Sequence, residues 1–276
     1  MTREQLFEQV KKKKSYLCIG LDTDIRKIPT HLLNYDDPVF EFNRQIIEAT
    51  KEYCIAYKPN LAFYESNGYV GLISLEKTIS IIPKEIFTIA DAKRGDIGNT
   101  SEMYARTFFE YYNFDALTVV PYMGKDSVLP FLNFKNKWVI LLALTSNAGS
   151  MDFQLNEVCI PSSERKLKLY EHVIEHAQKW GNEDKLMFVV GATHPEFFNR
   201  IREIAERNFL LVPGFGAQGG DLQTISKAGM NSECGLIVNS SRQILYASSG
   251  EDFAECAAKE AQKIQQEMKV LLESLI

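Results

Sequence analysis

Eight short, nearly unbroken apolar runs punctuate the chain, and no other feature restricts its fold as much. They are SYLCIGL (15–21), YCIAYK (53–58), IFTIAD (86–91), FDALTVV (114–120), WVILLALT (138–145), LMFVVGA (186–192), FLLVPG (209–214) and GLIVNS (235–240). A strand with one wet face alternates polar and apolar side chains, whereas a strand covered on both faces does not, so these runs predict parallel strands flanked by helices. The segments between them, such as DPVFEFNRQIIEATKE and HPEFFNRIREIAERN, repeat apolar residues at three- and four-residue spacing, the pattern of amphipathic helices. Eight strand–helix units in about 250 residues fit a (β/α)8 TIM barrel of the α/β class, since an open doubly wound sheet more often stops at five or six strands. No linker, low-complexity tract or charge block interrupts the pattern, so a single domain over 1–276 is expected. A closing helix is expected from Asp252, with an apolar stripe through Ala254, Ala258, Ala261, Ile264, Met268 and Leu272.

The net charge of −5 argues against general affinity for nucleic acid phosphates. Cys18, Cys54, Cys159, Cys234 and Cys256 are scattered without a C-x-x-C pair, which points away from zinc knuckles and disulfide frameworks and toward small core residues in a reducing cytosol. The KKKK run at Lys11 to Lys14 reads as the solvated end of a first helix. The longest apolar run, WVILLAL, falls far short of a membrane span. The expectation is a cytoplasmic chain without nucleic acid or membrane partners.

In such barrels chemistry sits at the C-terminal ends of the strands. Here those ends carry Asp22; Lys58 with Asn60; Asp91 with Lys93; Pro121 with Tyr122; Thr145 with Ser146 and Asn147; Thr193; Pro213 to Gly220; and Asn239 to Arg242. Asp91 and Lys93 stand two apart at the end of an extended run, so both side chains are expected on one side, with Gly95 bending the chain beyond them. A buried lysine tends to lose its proton, and flanking carboxylates reverse that. Lys93 is thereby an acid, and Lys58 from the neighbouring strand extends an alternating row of charges suited to a carbanion forming beside a proton donor. The glycine-rich VPGFGAQGGD after the seventh run and Ser240, Ser241 and Arg242 after the eighth supply amides, hydroxyls and a guanidinium where barrels usually bind phosphate.

The stretch DAKRGDIGNT, Asp91 to Thr100, resembles the signature D-x-K-x-x-D-I-x-N-T of the orotidine 5′-phosphate decarboxylase family and matches every defined position. GLD at the first strand end, Lys58 at the second, LTSNAGS at the fifth, VPGFGAQGG at the seventh and NSSR at the eighth extend the resemblance over nearly the whole chain, in the manner of the longer bacterial branch. The resemblance implies cofactor-free and metal-free conversion of orotidine 5′-phosphate to UMP and CO2, the last step of de novo pyrimidine synthesis. It implies Lys93 as proton donor to C6, Asp91 and Asp96 as its flanking carboxylates, and Lys58 as the second lysine of the row. It also implies a homodimer, with Asp96 and Thr100 entering the neighbouring site. Asp22 and Thr100 match ribose contacts, Ser146 the group on the pyrimidine edge, and Gln218 and Arg242 the phosphate grip. Asn60, Pro213, Gly219 and Ser241 complete the expected substrate contacts. The chain departs from shorter members by carrying GFGAQGG where they have an arginine-containing loop, and by the insert NAGSMDFQLNEVCIPSSERK.

Three rivals are weighed. Magnesium-dependent sugar-phosphate barrels share the D-x-K-x-x-D core, but they carry an acidic ligand where this chain has Lys58, which would repel a cation. HVIEH, His172 to His176, fits H-x-x-E-H, yet a stripe through Leu167, Tyr170, Ile174 and Ala177 is expected to turn both histidines to the outer, charged face. A non-catalytic nucleotide-phosphate binder has no use for the charge row. His31 reads as a surface loop residue, and His194 as a rim or capping residue.

Overall fold

The eight runs form the eight strands of a closed parallel barrel in a computed structural model that describes residues 1–160, 165–216 and 220–275. The barrel strands are β1 (Leu17–Gly20), β2 (Ala56–Lys58), β3 (Phe87–Arg94), β4 (Ala116–Val119), β5 (Trp138–Leu144), β6 (Leu186–Val190), β7 (Leu210–Val212) and β8 (Leu236–Ser240). Neighbours follow chain order, and β8 closes on β1 with Leu17 opposite Val238. Every residue of β1, β2, β4, β6, β7 and β8 is buried, as continuous apolar runs require when helices cover the outside and side chains fill the inside.

The helices start where the sequence offers caps. Thr2 and Gln5 form a capping box on the helix Arg3–Lys13, and the lysine run ends that helix with Lys14 in left-handed geometry as its C-cap. Asp37 accepts from the Phe40 amide, and Pro38 opens the helix Pro38–Thr50. The last helix, Phe253–Leu275, lies against Pro38–Thr50, with the Phe42 and Phe253 rings stacked at 5.0 Å. Its buried stripe is Phe253, Ala257, Ala261, Ile264, Met268 and Leu271; the expected positions at Ala254, Ala258 and Leu272 are only half-buried, because Phe253 anchors the first turn and sets the phase.

At the N-terminal ends of the strands, polar groups meet partners inside the protein. Asp115 accepts from the Thr88 amide and hydroxyl, both at 3.0 Å, and from the Met1 ammonium at 2.8 Å. Arg3 reaches Glu233 and two backbone carbonyls. Arg202 donates to the carbonyls of Gly229 (2.6 Å), Asn208 (2.7 Å), Gly235 (2.8 Å) and Ala205 (3.0 Å), and burial without a carboxylate beside it pulls its pKa down to about 10.

The insert after β5 folds back as a short 3-10 turn, Ala148–Asp152, and an antiparallel hairpin of Glu157–Ile160 with Arg165–Lys168, a pair of strands that hydrophobic periodicity does not reveal. Gln154 ties it to the end of β5 by accepting from the Thr145 amide at 2.7 Å. Leu167 belongs to this hairpin, while Tyr170, Ile174 and Ala177 form the buried face of the following helix, Leu169–Ala177. Among the described residues no helix is long and apolar enough to cross a membrane.

Candidate active site

The site begins where β3 stops being apolar. Phe87 to Ala90 are buried, and the strand then runs on through Asp91, Ala92 and Lys93 to Arg94. Its pairing with β4 jumps: Ala90 opposes Leu117, and the next partners are Arg94 and Val119, so four steps along β3 match two along β4. Lys93 sits inside this bulge at φ +49°. A left-handed backbone costs an L residue about 1–2 kcal/mol, and such strain persists only where surrounding contacts enforce it. The contact of Lys93 with Asp91 is therefore made by a bulge and not by plain two-residue alternation, and the chain already turns at Lys93, ahead of Gly95.

The Asp91 carboxylate holds an ammonium on each oxygen: Lys58 Nζ at 2.8 Å from Oδ2 and Lys93 Nζ at 2.6 Å from Oδ1. Lys58 is 4% exposed, Asp91 12% and Lys93 49%, so the row runs from the barrel interior toward the mouth. Burial pulls the Lys58 ammonium toward deprotonation, but Asp91 and Asp22 together outweigh it and raise its pKa. Burial likewise pushes the Asp91 carboxyl upward, and Lys58 and Lys93 overcome that to hold it well below the carboxylate range. Both stay charged at neutral pH. Two charges buried at such cost are poor stabilisers compared with packed apolar groups, and their retention points to chemistry.

A cavity of about 490 Å³ opens beside this row, lined by the ends of five neighbouring strands. Lys58, Asn60 and Phe63 come from β2 and its loop, Asp91 from β3, and Asp22, Asp24, Arg26 and Lys27 from the loop after β1. Pro213, Gly214 and Phe215 follow β7, and Asn239, Ser241, Arg242 and Tyr246 follow β8. Tyr246 fixes the β1 loop by donating to the Asp22 carbonyl at 3.1 Å and accepting from the Asp24 amide at 2.9 Å. Arg26 binds Asp24 through two nitrogens and holds that carboxyl down to about 2. Gly20 lies beneath Ser241, where an added Cβ would lie 1.9 Å from the Ser241 hydroxyl and force that side chain to move. Among the described residues, three buried oxygens at this end have no hydrogen-bond partner: Asp22 Oδ1, Asn239 Oδ1 and Ser240 Oγ. Asp22 and Asn239 line the cavity, so their oxygens are acceptors that a bound molecule can reach.

Of the expected site residues, the structure brings Asp22, Lys58, Asn60, Asp91, Pro213, Ser241 and Arg242 together around the cavity, with Lys93 joined through Asp91. Ser146 does not line it; it packs against Gly191 at the end of the adjacent strand β6, with its carbonyl accepting from Thr193 Oγ1 at 3.1 Å. Asp96 and Thr100 do not line it either. Asp96 Oδ1 accepts from the Ile97 amide at 2.8 Å, and Thr100 is exposed on the helix Gly98–Arg106. Gln218 and Gly219 lie outside the described residues. Sequence reasoning missed Asp24, Arg26, Lys27, Phe63 and Tyr246 as cavity walls; Phe215 and Asn239 stood in the strand-end series without a role.

His194 sits before the 3-10 turn Pro195–Phe197 without a side-chain cap bond, and its ring faces Ser150 at 3.4 Å. His31 is half-buried near Phe253. His172 and His176 lie on the side of their helix away from Tyr170, Ile174 and Ala177 and are half-buried there, with ring centroids 4.0 Å apart. Burial, then its neighbour His176, lowers the His172 pKa. Among the described residues no group of three or more His, Cys, Asp or Glu is placed to hold a metal.

Comparison with known proteins agrees with this geometry. Residues 15–256 match the model of the orotidine 5′-phosphate decarboxylase / HUMPS family. A curated orotidine 5′-phosphate decarboxylase of Phocaeicola vulgatus is 60% identical over 275 residues, covering 99% of both chains, and one of Bacteroides fragilis is 57% identical over 279 residues, covering 100% of both. Among solved structures, OMP decarboxylase of Leishmania donovani superposes with a TM-score of 0.78 at 36% identity, covering 96% of this chain and 100% of that one. A putative orotidine-monophosphate-decarboxylase of Toxoplasma gondii gives 0.83 at 30% identity, covering 97% of each. With the family model spanning most of the barrel and full-length relatives above half identity, the chain belongs to the orotidine 5′-phosphate decarboxylase / HUMPS family.

Proposed function

We propose that this chain decarboxylates orotidine 5′-phosphate to UMP and CO2, with Lys93 as the proton donor to C6. The observation that carries the reading is the Asp91 carboxylate gripped by Lys58 and Lys93 at one end of a cavity whose other end offers Ser241 and Arg242. Arg242 takes the phosphate, and Asp22 and Asn239 present free acceptors to sugar hydroxyls. The C6–carboxylate bond breaks, its electron pair stays on C6, and CO2 departs. The Lys93 ammonium stabilises that charge and then gives C6 its proton, so one proton from water restores the lysine. Binding energy from the remote phosphate aligns the reacting carbon, which raises the rate where it is realised in the transition state.

The same reading makes the active form a homodimer in which Asp96 and Thr100 serve the neighbouring site. Its support is their absence from the chain's own cavity and the exposed apolar surface beside them: Ile97, Met103, Tyr111, Tyr122 and Met123, adjoining Tyr69, Val70 and Ile73. Tyr111 bonds Glu76 on the helix Gly68–Ser80, so these patches adjoin. The five cysteines are unpaired, which suits a reducing cytosol. A magnesium-dependent reading fits less well, because both Asp91 oxygens already bind ammonium groups.

Adding orotidine 5′-phosphate to the chelator-treated protein is expected to consume the pyrimidine absorbance and release CO2; no loss of absorbance, or loss only with magnesium, rejects the reading. Mixing inactive Lys93→Ala and Asp96→Ala proteins is expected to restore part of the activity through mixed dimers, and no recovery after subunit exchange rejects the shared site.

A further inference from the structure

We propose that Thr118 on β4 is a positioning residue whose single hydroxyl shapes the β3 bulge that delivers Lys93 to Asp91. The inference rests on the reading of Lys93 as the proton donor, and it starts from a problem in backbone bookkeeping. Where β3 takes four steps against two of β4, the amides of Ala92 and Lys93 lose their ladder partners. Both donate instead to Thr118 Oγ1, at 3.0 Å and 2.9 Å. The regular ladder resumes directly beyond, with the Val120 amide donating to the Arg94 carbonyl at 2.9 Å.

A hydroxyl has two acceptor sites and one hydrogen. Two successive amides occupy the acceptor sites of Thr118. Its hydrogen has two acceptor oxygens in reach, the Ala90 backbone carbonyl at 3.4 Å and Asp91 Oδ1 at 3.2 Å, and the nearer one is charged. Asp91 Oδ1 is the same oxygen that binds Lys93 Nζ at 2.6 Å. One side chain thus holds the backbone of Lys93 in its left-handed turn and steadies the oxygen that receives the Lys93 ammonium.

Thr118 is 1% exposed, so water does not stand ready to replace its hydroxyl. It does not line the cavity and touches no reacting atom. Its influence passes through the geometry of Asp91 and Lys93, which marks it as positioning and not catalytic.

The test compares Thr118→Val, which keeps the shape and removes the hydroxyl, with Thr118→Ser, which keeps the hydroxyl. Because a misplacement of about 1 Å can cost about 100-fold, Thr118→Val is expected to lower kcat about 10- to 100-fold while its Kd for UMP stays within about 3-fold, and Thr118→Ser is expected to return kcat to within about 3-fold of the parent. Thr118→Val retaining parental kcat, or Thr118→Ser losing as much as Thr118→Val, overturns the proposal. If Thr118→Val fails to fold, Thr118→Ala takes its place, with the same loss expected and the same retention overturning. A crystal structure of the hydroxyl-free variant separates this inference from the assignment of the reaction. Lys93 Nζ is expected to leave Asp91, and an unchanged bulge with the 2.6 Å contact intact overturns the inference whether or not the chain consumes orotidine 5′-phosphate.

Discussion

The two ends of the barrel are built to different rules. At the N-terminal end, Asp115 is filled by Thr88 and Met1, and Arg202 is bonded to five carbonyls. At the C-terminal end, Asp22, Asn239 and Ser240 bury oxygens without a partner among the described residues, and Lys93 takes a strained backbone. The fold is the same at both ends, but three of the buried oxygens without a partner among the described residues lie at the C-terminal end, against Gln9 Oε1 on the helix Arg3–Lys13 at the other. The groups at the first end are bonded within the protein, while Asp22 and Asn239 at the other line the cavity, as expected where barrel strands end in chemistry.

The largest effect that would sharpen this contrast is expected from Asp91→Asn. It strands the buried Lys58 ammonium, and breaking one partner of a buried pair typically costs about 3–5 kcal/mol, so urea unfolding should show a loss of that order together with loss of activity. A loss below about 1 kcal/mol would mean that the row is not electrostatically coupled. The parent should also show an acid limb that the variant lacks. Unfolded aspartate takes a proton near its ordinary pKa of about 3.9, whereas folded Asp91, held lower, does not; the unfolded state then binds more protons, and stability falls as pH drops below about 4. The raised Lys58 has the opposite sign: its contribution is complete below about 10.4 and is lost as pH rises from there through its folded value.

Arg202→Met should cost about 3 kcal/mol, since it leaves buried carbonyls unbonded, while kcat for orotidine 5′-phosphate stays within about 2-fold. A large fall in kcat would show that the two ends are not separable. Two asparagines sharpen the point further. Asn208→Ala removes a paired amide at the stable end, where Nδ2 donates to the Leu186 carbonyl at 2.9 Å, and should cost about 1–2 kcal/mol without changing KM. Asn239→Ala removes an oxygen with no partner among the described residues, together with one 3.2 Å bond from its Nδ2 to Ser241 Oγ, and should raise KM about 10-fold with stability changed by about 1 kcal/mol or less. Equal behaviour of the two would erase the distinction.

Much of this was legible in the sequence, for a physical reason. Burial on both faces writes barrel strands as continuous apolar runs, and a lysine or aspartate ending such a run, as at Lys58 and Asp91, stands out against it. The bulge did not show, because Thr118 in FDALTVV looks like any β-branched strand residue until the register places two amides on its hydroxyl. Asp24, Arg26 and Lys27 lie in a loop without periodicity, so nothing local marks them as cavity walls. The hairpin after β5 alternates over only four residues per strand, too short a span to separate from a loop. Asp96 and Thr100 were named through the family signature alone, and no property of their own segment points to a role.

The smallest effect concerns strain. Glycine accepts a positive φ freely, so Lys93→Gly should be more stable than Lys93→Ala by about 1 kcal/mol, although glycine in an ordinary strand is the weaker choice. The reverse order would remove the strained turn from the account.

The central claim is that the Lys93 ammonium, held on Asp91, is the acid of the reaction, and the most direct measurement is kcat of Lys93→Ala on orotidine 5′-phosphate with UMP binding measured alongside. The Lys93 side chain is 49% exposed, so the variant should fold and bind UMP within about 10-fold of the parent while kcat falls at least about 1,000-fold, within the range a positioned general acid contributes. Turnover by Lys93→Ala at the parental rate would contradict the claim outright.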